Sequence, residues 1–253
     1  MDGVMSVTSV TSLSFDLRQT PLREVNQFLH DVPGLQNLEG LESLESLEGD
    51  RSTQTVRILN PDGAHNIAVG LDAPLHVEIL GHTGYYAAGM NQLATVTIVG
   101  NAGPGVAENM MSGQVYVKGF ASVSAGASAQ GGLLVIDGDA SLRCGISLKG
   151  ADIVVGGSVG SFSAFMAQAG RLVICGDAGD ALGDSLYEAV IYVRGQIKSL
   201  GADAQLEPMT NEDYTTVGDL LAQAGLAHDP QEFKRVASAR QLYHWNTDAN
   251  QEY

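Results

Sequence analysis

Few residues of this chain have the type and spacing that chemistry demands. In its central part the only histidines are His76 and His82, and the cysteines are Cys144 and Cys175. A serine or cysteine nucleophile needs a base placed beside it, and no such motif surrounds either histidine. A histidine-ligated zinc ion on stacked coils needs three imidazoles from neighbouring coils, and this region holds two. Two cysteines fall short of the four that hold an iron–sulfur cluster. The stretch GNAGPG (100–105) is glycine-rich, but no helix follows it to receive a phosphate. Arg143, Arg171 and Arg194 are cationic enough for an anion, yet read better as scattered surface arginines. These residue types predict no catalytic residue, no metal and no cofactor on this chain.

The elements that would have to position such residues are far more informative. From His76 to Gly195 a short apolar strand ending in glycine recurs: HVEILG, VTIVG, VYVKG, LVIDG, IVVGG, LVICG and IYVRG. The terminal glycines are Gly81, Gly100, Gly119, Gly138, Gly157, Gly176 and Gly195, each 19 residues after the last. Val77, Val96, Val115, Leu134, Ile153, Leu172 and Ile191 form one apolar column. Ile79, Ile98, Val117, Ile136, Val155, Ile174 and Val193 form a second. Residues two apart in a strand share a face, so both columns point inward and stack as ladders that no coil could bury alone. A fixed period of this length reads as a solenoid.

The small residues Ala94, Gly113, Gly132, Ala151, Gly170 and Ala189 precede the strands, where coils must approach closely. The glycine after each strand is expected to turn the corner with φ > 0. Helical repeats do not suit so much glycine and valine. A hexapeptide β-helix would have an 18-residue coil. A calcium-binding nonapeptide roll would need the acids Asp177, Asp180 and Asp184 to recur at other corners, and they do not. The predicted fold is therefore all-β: a single-stranded, right-handed parallel β-helix of about seven 19-residue coils, with short helical N- and C-terminal extensions. Parallel strands stack at roughly 4.8 Å, so the rod should be ~30 Å long.

The 253 residues divide by pattern into an N-terminal extension (1–54), the β-helix (55–200) and a C-terminal helical tail (201–253). Residues 7–17 alternate weakly and suit an added strand. Thr20-Pro21 starts a short helix carrying Leu22, Val25, Phe28 and Leu29 on one stripe, and Pro33-Gly34 stops it. Leucines at 35, 38, 41, 44 and 47 drift about 60° per step on a helix, so 35–49 reads as a flexible acidic arm or as a segment that orders against a partner. Residues 53–60 and 66–71 read as opening strands. Beyond the repeats, Asp219–Ala224 suits a short helix closed by Gly225. Asp229-Pro230-Gln231-Glu232 then has the layout of a capping box, predicting a helix to about His244. A formal charge of −16 argues against nucleic acid or an anionic membrane as partner. No 18-residue apolar run or basic-then-apolar leader is seen. With two unpaired thiols, the expected setting is the cytoplasm.

Between the buried columns, Thr97, Tyr116, Val135, Val154, Val173 and Tyr192 point outward. Three stacked valines flanked by tyrosines imply a cover: the chain's own tail or leader, or another polypeptide. Tyr116, Val135, Val154, Val173 and Tyr192 are therefore candidate interface residues. On the second reading, Val154→Asp dissolves a complex and leaves the isolated chain folded.

The run GHTGYYAAGMNQLATVTIVGNAGPGVAENMMSGQVYVKG, Gly81 to Gly119, resembles the GXGXG-motif β-helix family, the C-terminal domain of the glutamate synthase large subunit and its free-standing relatives. The ending FKRVASARQLYHWNTDANQEY, Phe233 to Tyr253, is more similar to the small β-helix subunit of N-methylglutamate synthase. The resemblance implies a non-catalytic structural subunit. Its partners would be a class II glutamine amidotransferase-like subunit with an N-terminal cysteine and a glutamate synthase-like subunit carrying FMN and an iron–sulfur cluster. This chain begins Met1-Asp2, so it is not the amidotransferase. Two alternatives stay open: the β-helix subunit of a formylmethanofuran dehydrogenase or formyltransferase/hydrolase complex, and a stand-alone β-helix binding protein.

Overall fold

The structure, a computed structural model, describes residues 13–31 and 55–240. Readings that fall on 7–12, Pro33-Gly34, the leucine-rich arm and the chain beyond 240 lie outside the described residues. One sheet of eleven strands runs the length of the molecule, neighbours following chain order except at the far end. The parallel strands are β1 (Leu13–Asp16), β2 (Thr55–Leu59), β3 (His76–Leu80), β4 (Thr95–Ile98), β5 (Gln114–Val117), β6 (Leu133–Ile136), β7 (Lys149–Val155), β8 (Ala169–Ile174) and β9 (Val190–Val193). The chain is a parallel β-helix of about seven turns. Its register is the one the period demands: Val77 pairs with Val96, Val115 with Leu134, Leu172 with Ile191. Both predicted inner columns are buried throughout.

The glycines do different work from that expected. Of the seven that follow the strands, only Gly81 has a positive φ. At Gly100 a Cβ would lie 2.7 Å from the backbone carbonyl of Gly81, and at Gly195 2.3 Å from the oxygen of Gly176. These positions exclude a side chain because coils touch there. Positive φ is found instead at glycines before strands, such as Gly113 at 76°, and at glycines such as Gly105 and Gly126 in the turns between them.

Each coil has a side that is not strand at all. Alternate residues there are left-handed, as at Tyr86, Ala88 and Met90 (φ 62°, 53° and 54°) or Phe162, Ala164 and Met166 (59°, 55° and 53°). Non-glycine residues in this region cost roughly 1–2 kcal/mol each. Amides on this side reach both neighbouring coils, Tyr86 N to Pro104 O at 2.8 Å and Ala88 N to Ile67 O at 2.9 Å. The segment 66–71, which reads as a strand by alternation, is the first turn of this kind, with Asn66, Ala68 and Gly70 at φ 56°, 55° and 70°. Alternating handedness mimics the period-two pattern of a strand.

Both ends of the rod are finished by the flanking segments. Helix α1 (Leu22–Asp31) puts Val25 and Leu29 into the rod's own core. Its Asn26 takes the place of a missing coil, accepting from Ala68 N at 3.0 Å and donating to Asn66 O at 2.8 Å. At the far end, β11 (Lys234–Ser238) pairs antiparallel with β9, and β10 (Ala204–Glu207) with β11. This corrects the predicted helix from Pro230 to His244. Its capping residues make only a 3-10 turn, Pro230–Glu232, because the open edge of β9 offers unpaired backbone groups that outcompete an imperfect apolar stripe. The tail's helix, α2 (Asn211–Ala224), ends at Ala224 and is closed by Gly225 as expected, but it starts earlier than Asp219, capped by Thr210. Among the described residues no helix is long and apolar enough to cross a membrane.

Candidate interaction faces

The outward side of the sheet changes character along the rod. In the first coils it carries polar pairs, such as Arg57 Nε to Glu78 Oε2 at 2.8 Å across β2 and β3, and then Thr95 and Thr97. From β6 onward it turns apolar, with Leu133, Val135, Val154 and Val173, and Tyr192 following. Helix α2 lies over this part. Its inward residues Val217, Leu220, Leu221 and Ala224 follow helical spacing and form one buried cluster with the valines, Tyr192 and Phe233. Val135, Val154 and Val173 are wholly buried and Tyr116 packs at the border. The candidate interface residues Val135, Val154, Val173 and Tyr192 are thus corrected: the chain's own tail covers them. An aspartate at Val154 would strike the fold before it struck any complex.

A polar knot fixes the tail. Tyr192 donates its hydroxyl to Asp213 Oδ1 at 2.7 Å, Arg235 Nε lies 3.3 Å from the same oxygen, and Arg235 also pairs with Glu207. Asp213 Oδ2 accepts from the backbone and hydroxyl of Thr210, both at 2.8 Å, closing the capping box of α2. Burial alone pushes the Asp213 carboxyl up, but the hydrogen bonds from Tyr192 and Thr210 prevail and hold it below its ordinary value. Burial, followed by the bond to Asp213, raises the Tyr192 phenol. An ionised carboxylate and a neutral phenol are the stable pair here.

Most of the reactive side chains singled out by type are employed in bonds between coils or buried. Cys144 and Cys175 are free thiols, pushed up by burial to about 12 and about 11. His76 stands exposed at the start of β3. His82 Nδ1 accepts from Asn101 N at 2.9 Å, and the next side chains in that column repeat the act one coil on. Asn101 Oδ1 accepts from Phe120 N (3.1 Å), Asp139 Oδ1 from Ser158 N (2.7 Å), Ser158 Oγ from Asp177 N (2.9 Å) and Asp177 Oδ1 from Gln196 N (2.7 Å). Sequence reasoning missed this ladder, although its signal was present: an acceptor-bearing side chain directly after most corner glycines. Asp180 bonds Lys198 at 2.7 Å, and that bond lowers its carboxyl, while Asp184 accepts from Ala202 N at 3.2 Å. Among the described residues no three His, Cys, Asp or Glu side chains are grouped to hold a metal. The arginines do not converge. Arg143 is exposed on the left-handed side, Arg171 reaches Asp152 at 3.4 Å, and Arg194 reaches Glu232 at 2.6 Å. A groove of about 480 Å³ beside the last coils is lined by Ser158, Asp177, Gln196 and Lys198 with small neighbours.

A second apolar ladder lies on another side of the rod. The carbonyls of Tyr85, Pro104, Val123 and Leu142 accept from the amides of Asn66, Tyr86, Gly105 and Ser124 in the preceding coil, at 2.8–3.0 Å. These four residues therefore stack in consecutive coils. Tyr85 is 47% exposed and Leu142 48%, with Phe120 beside them at 52%. Leu80 and Val99, at the ends of the outward sheet face, and Phe162 are exposed as well. No described element lies over the ladder.

No model of a known protein family matches the chain. It is 52% identical over 234 residues to Protein GlxC of Rhizobium meliloti (strain 1021), an alignment that covers 92% of this chain and 96% of that protein.

Proposed function

The chain belongs to the family of Protein GlxC, and from that premise we propose that it is a non-catalytic structural subunit of a glutamate synthase-like complex, N-methylglutamate synthase. The assembly joins methylamine and glutamate into N-methylglutamate and releases ammonia. Its catalytic parts are a class II glutamine amidotransferase-like subunit and a glutamate synthase-like subunit that holds FMN and an iron–sulfur cluster, in the cytoplasm. The rod braces the two, helps form the path for ammonia or amine between them, and so keeps two active sites in register. The resemblance to the GXGXG β-helix family supplies the choice of complex.

The observation that carries a bracing role is the contrast of surfaces. A stack of coils with one continuous core has one apolar face closed by its own tail and another that no described element covers. Bare apolar ladders on a rigid body suit protein contact. Co-expression with the two partner subunits tests the reading. A yellow complex that needs this chain to turn over methylamine and glutamate is the expected result. A colourless protein that stays alone at low concentration would sink it, and a formyltransferase chain in the complex would assign the rod to the C1 alternative.

A further inference from the structure

We infer that the far end of the rod is covered by the chain's own C-terminal segment, residues 241–253, which folds back with Trp245 against Leu206 and Leu200. This cover is independent of the complex proposed above, because it concerns how the chain closes its own core.

The two ends of the rod differ. The terminal coil of a solenoid has inward residues that no further coil buries. At the first coil α1 supplies Val25 and Leu29, both buried, and its Phe28 packs on Phe15 with ring centroids 4.9 Å apart. Leu13, 46% exposed, stands at the margin of that cover. At the far end the inward column that holds Ala178 finishes on Ile197, and Leu182 is followed by Leu200. Opposite residues of an antiparallel pair share a face. Leu206, opposite Val236 and through it Ile191, therefore points to the core side of the sheet. Ile191 and Val236 are wholly buried, whereas Ile197, Leu200 and Ala204 are only partly buried and Leu206 is 57% exposed. β10 is the last strand of the sheet, and no described strand lies beyond it.

The described chain leaves β11 at the rim of this apolar plate. Ala239 N donates to Asp203 O at 2.8 Å, Ser238 Oγ donates to Asp203 Oδ2 at 3.1 Å, and Arg240 reaches Glu188 at 3.7 Å. Arg240 is left-handed, at φ 57°, so the straight course of the strand ends there. Thirteen residues follow, and Leu242, Tyr243 and Trp245 fall within the first five of them. Asp203 and Leu206 are three residues apart along the edge, roughly 10 Å. Five residues span up to about 17 Å, so Trp245 can reach Leu206 from Arg240. A tethered segment also competes at an effective concentration of about millimolar order, which a second copy reaches only in millimolar protein.

Trp245 is the chain's one tryptophan, so its fluorescence reads the contact. In the purified full chain its emission should lie well to the blue of free tryptophan, resist acrylamide quenching, and stay so on dilution. Leu206→Glu should move the emission to the red and raise quenching several-fold, with the circular dichroism of the rod kept. Photo-crosslinking benzoylphenylalanine at position 206 of the full chain, irradiated in the cell, should link to residues 241–253 in a product of monomer mass. That product decides the matter should Leu206→Glu fail to fold. An emission already at the position of free tryptophan overturns the inference, and so does a blue emission that folded Leu206→Glu leaves unmoved. A product of dimer mass puts a second copy on the plate, and a link to another protein puts a partner there. Either result overturns the inference, as does the absence of any link.

Discussion

Two apolar ladders run along this rod, and they have opposite fates. Leu133, Val135, Val154 and Val173 point away from the coil interior and yet are buried, because α2 returns over them. Tyr85, Pro104, Val123 and Leu142 point away from the interior on another side, earlier in the rod, and nothing described covers them. By residue type the first ladder is the more hydrophobic, so it reads as the more inviting interface. What decides is where the chain's own cover lands. A solenoid repeats its outward positions as faithfully as its inward ones, so apolarity alone cannot separate a seat for the tail from a seat for a partner.

The comparison can be broken most sharply at Val154. Asp at this position buries an unpaired carboxylate between neighbouring valines and α2, and should cost about 3–5 kcal/mol. Urea denaturation should show the loss, and hydrogen exchange should place it first in α2. A change below about 1 kcal/mol would mean that the helix does not rest there. Tyr192→Phe comes next, at about 2 kcal/mol, since it removes a hydrogen bond to a charged group. Because the folded Asp213 carboxyl sits below its ordinary value, it adds stability above about pH 4 that is lost as pH falls through its folded value. Removing the phenol donor should therefore shift the acid limb of the stability curve to higher pH. An unmoved limb would show that this bond does not hold the carboxyl down. Thr210→Ala should cost about 1 kcal/mol by uncapping α2, read as a lower urea midpoint with an unchanged slope. On the bare ladder, Leu142→Asp should leave the isolated chain within about 0.5 kcal/mol of the parent. A large loss there would mean that this side is covered after all, and the contrast would vanish.

The inner architecture was legible because stacking imposes a period, and the period carries register. Val77 to Ile191 could be aligned rung by rung without coordinates. The corner glycines were visible, but their reason was not. Close contact between Gly100 and Gly81 is an inter-coil distance, and a sequence shows only that a side chain is missing. The left-handed side escaped notice because residues such as Tyr86, Met90 and Phe162 are poor predictors of positive φ. They are held there by bonds to neighbouring coils. At the far end, KRVAS carried a weak helical stripe and a weak strand alternation together, and the vacant edge of β9 settled the contest. The capping box Thr210-Asn211-Glu212-Asp213 carries an aspartate at N3, where the usual sequence signature has Glu or Gln.

The finished ends have a consequence for how the molecule behaves in a crowd. A stack of identical parallel rungs is a template that could recruit further molecules end to end and grow as a fibre. Here, at one end, Asn26 fills the first coil's backbone sites on the left-handed side with a side chain, while the sheet at that end stops at β1, only four residues long. At the other, β11 reverses the strand direction and leaves β10, four residues long and bearing Glu207, as the final edge. Deleting residues 201–240 would remove the stopper together with the cover of the valine ladder. The truncated rod should polymerise as well as lose its tail.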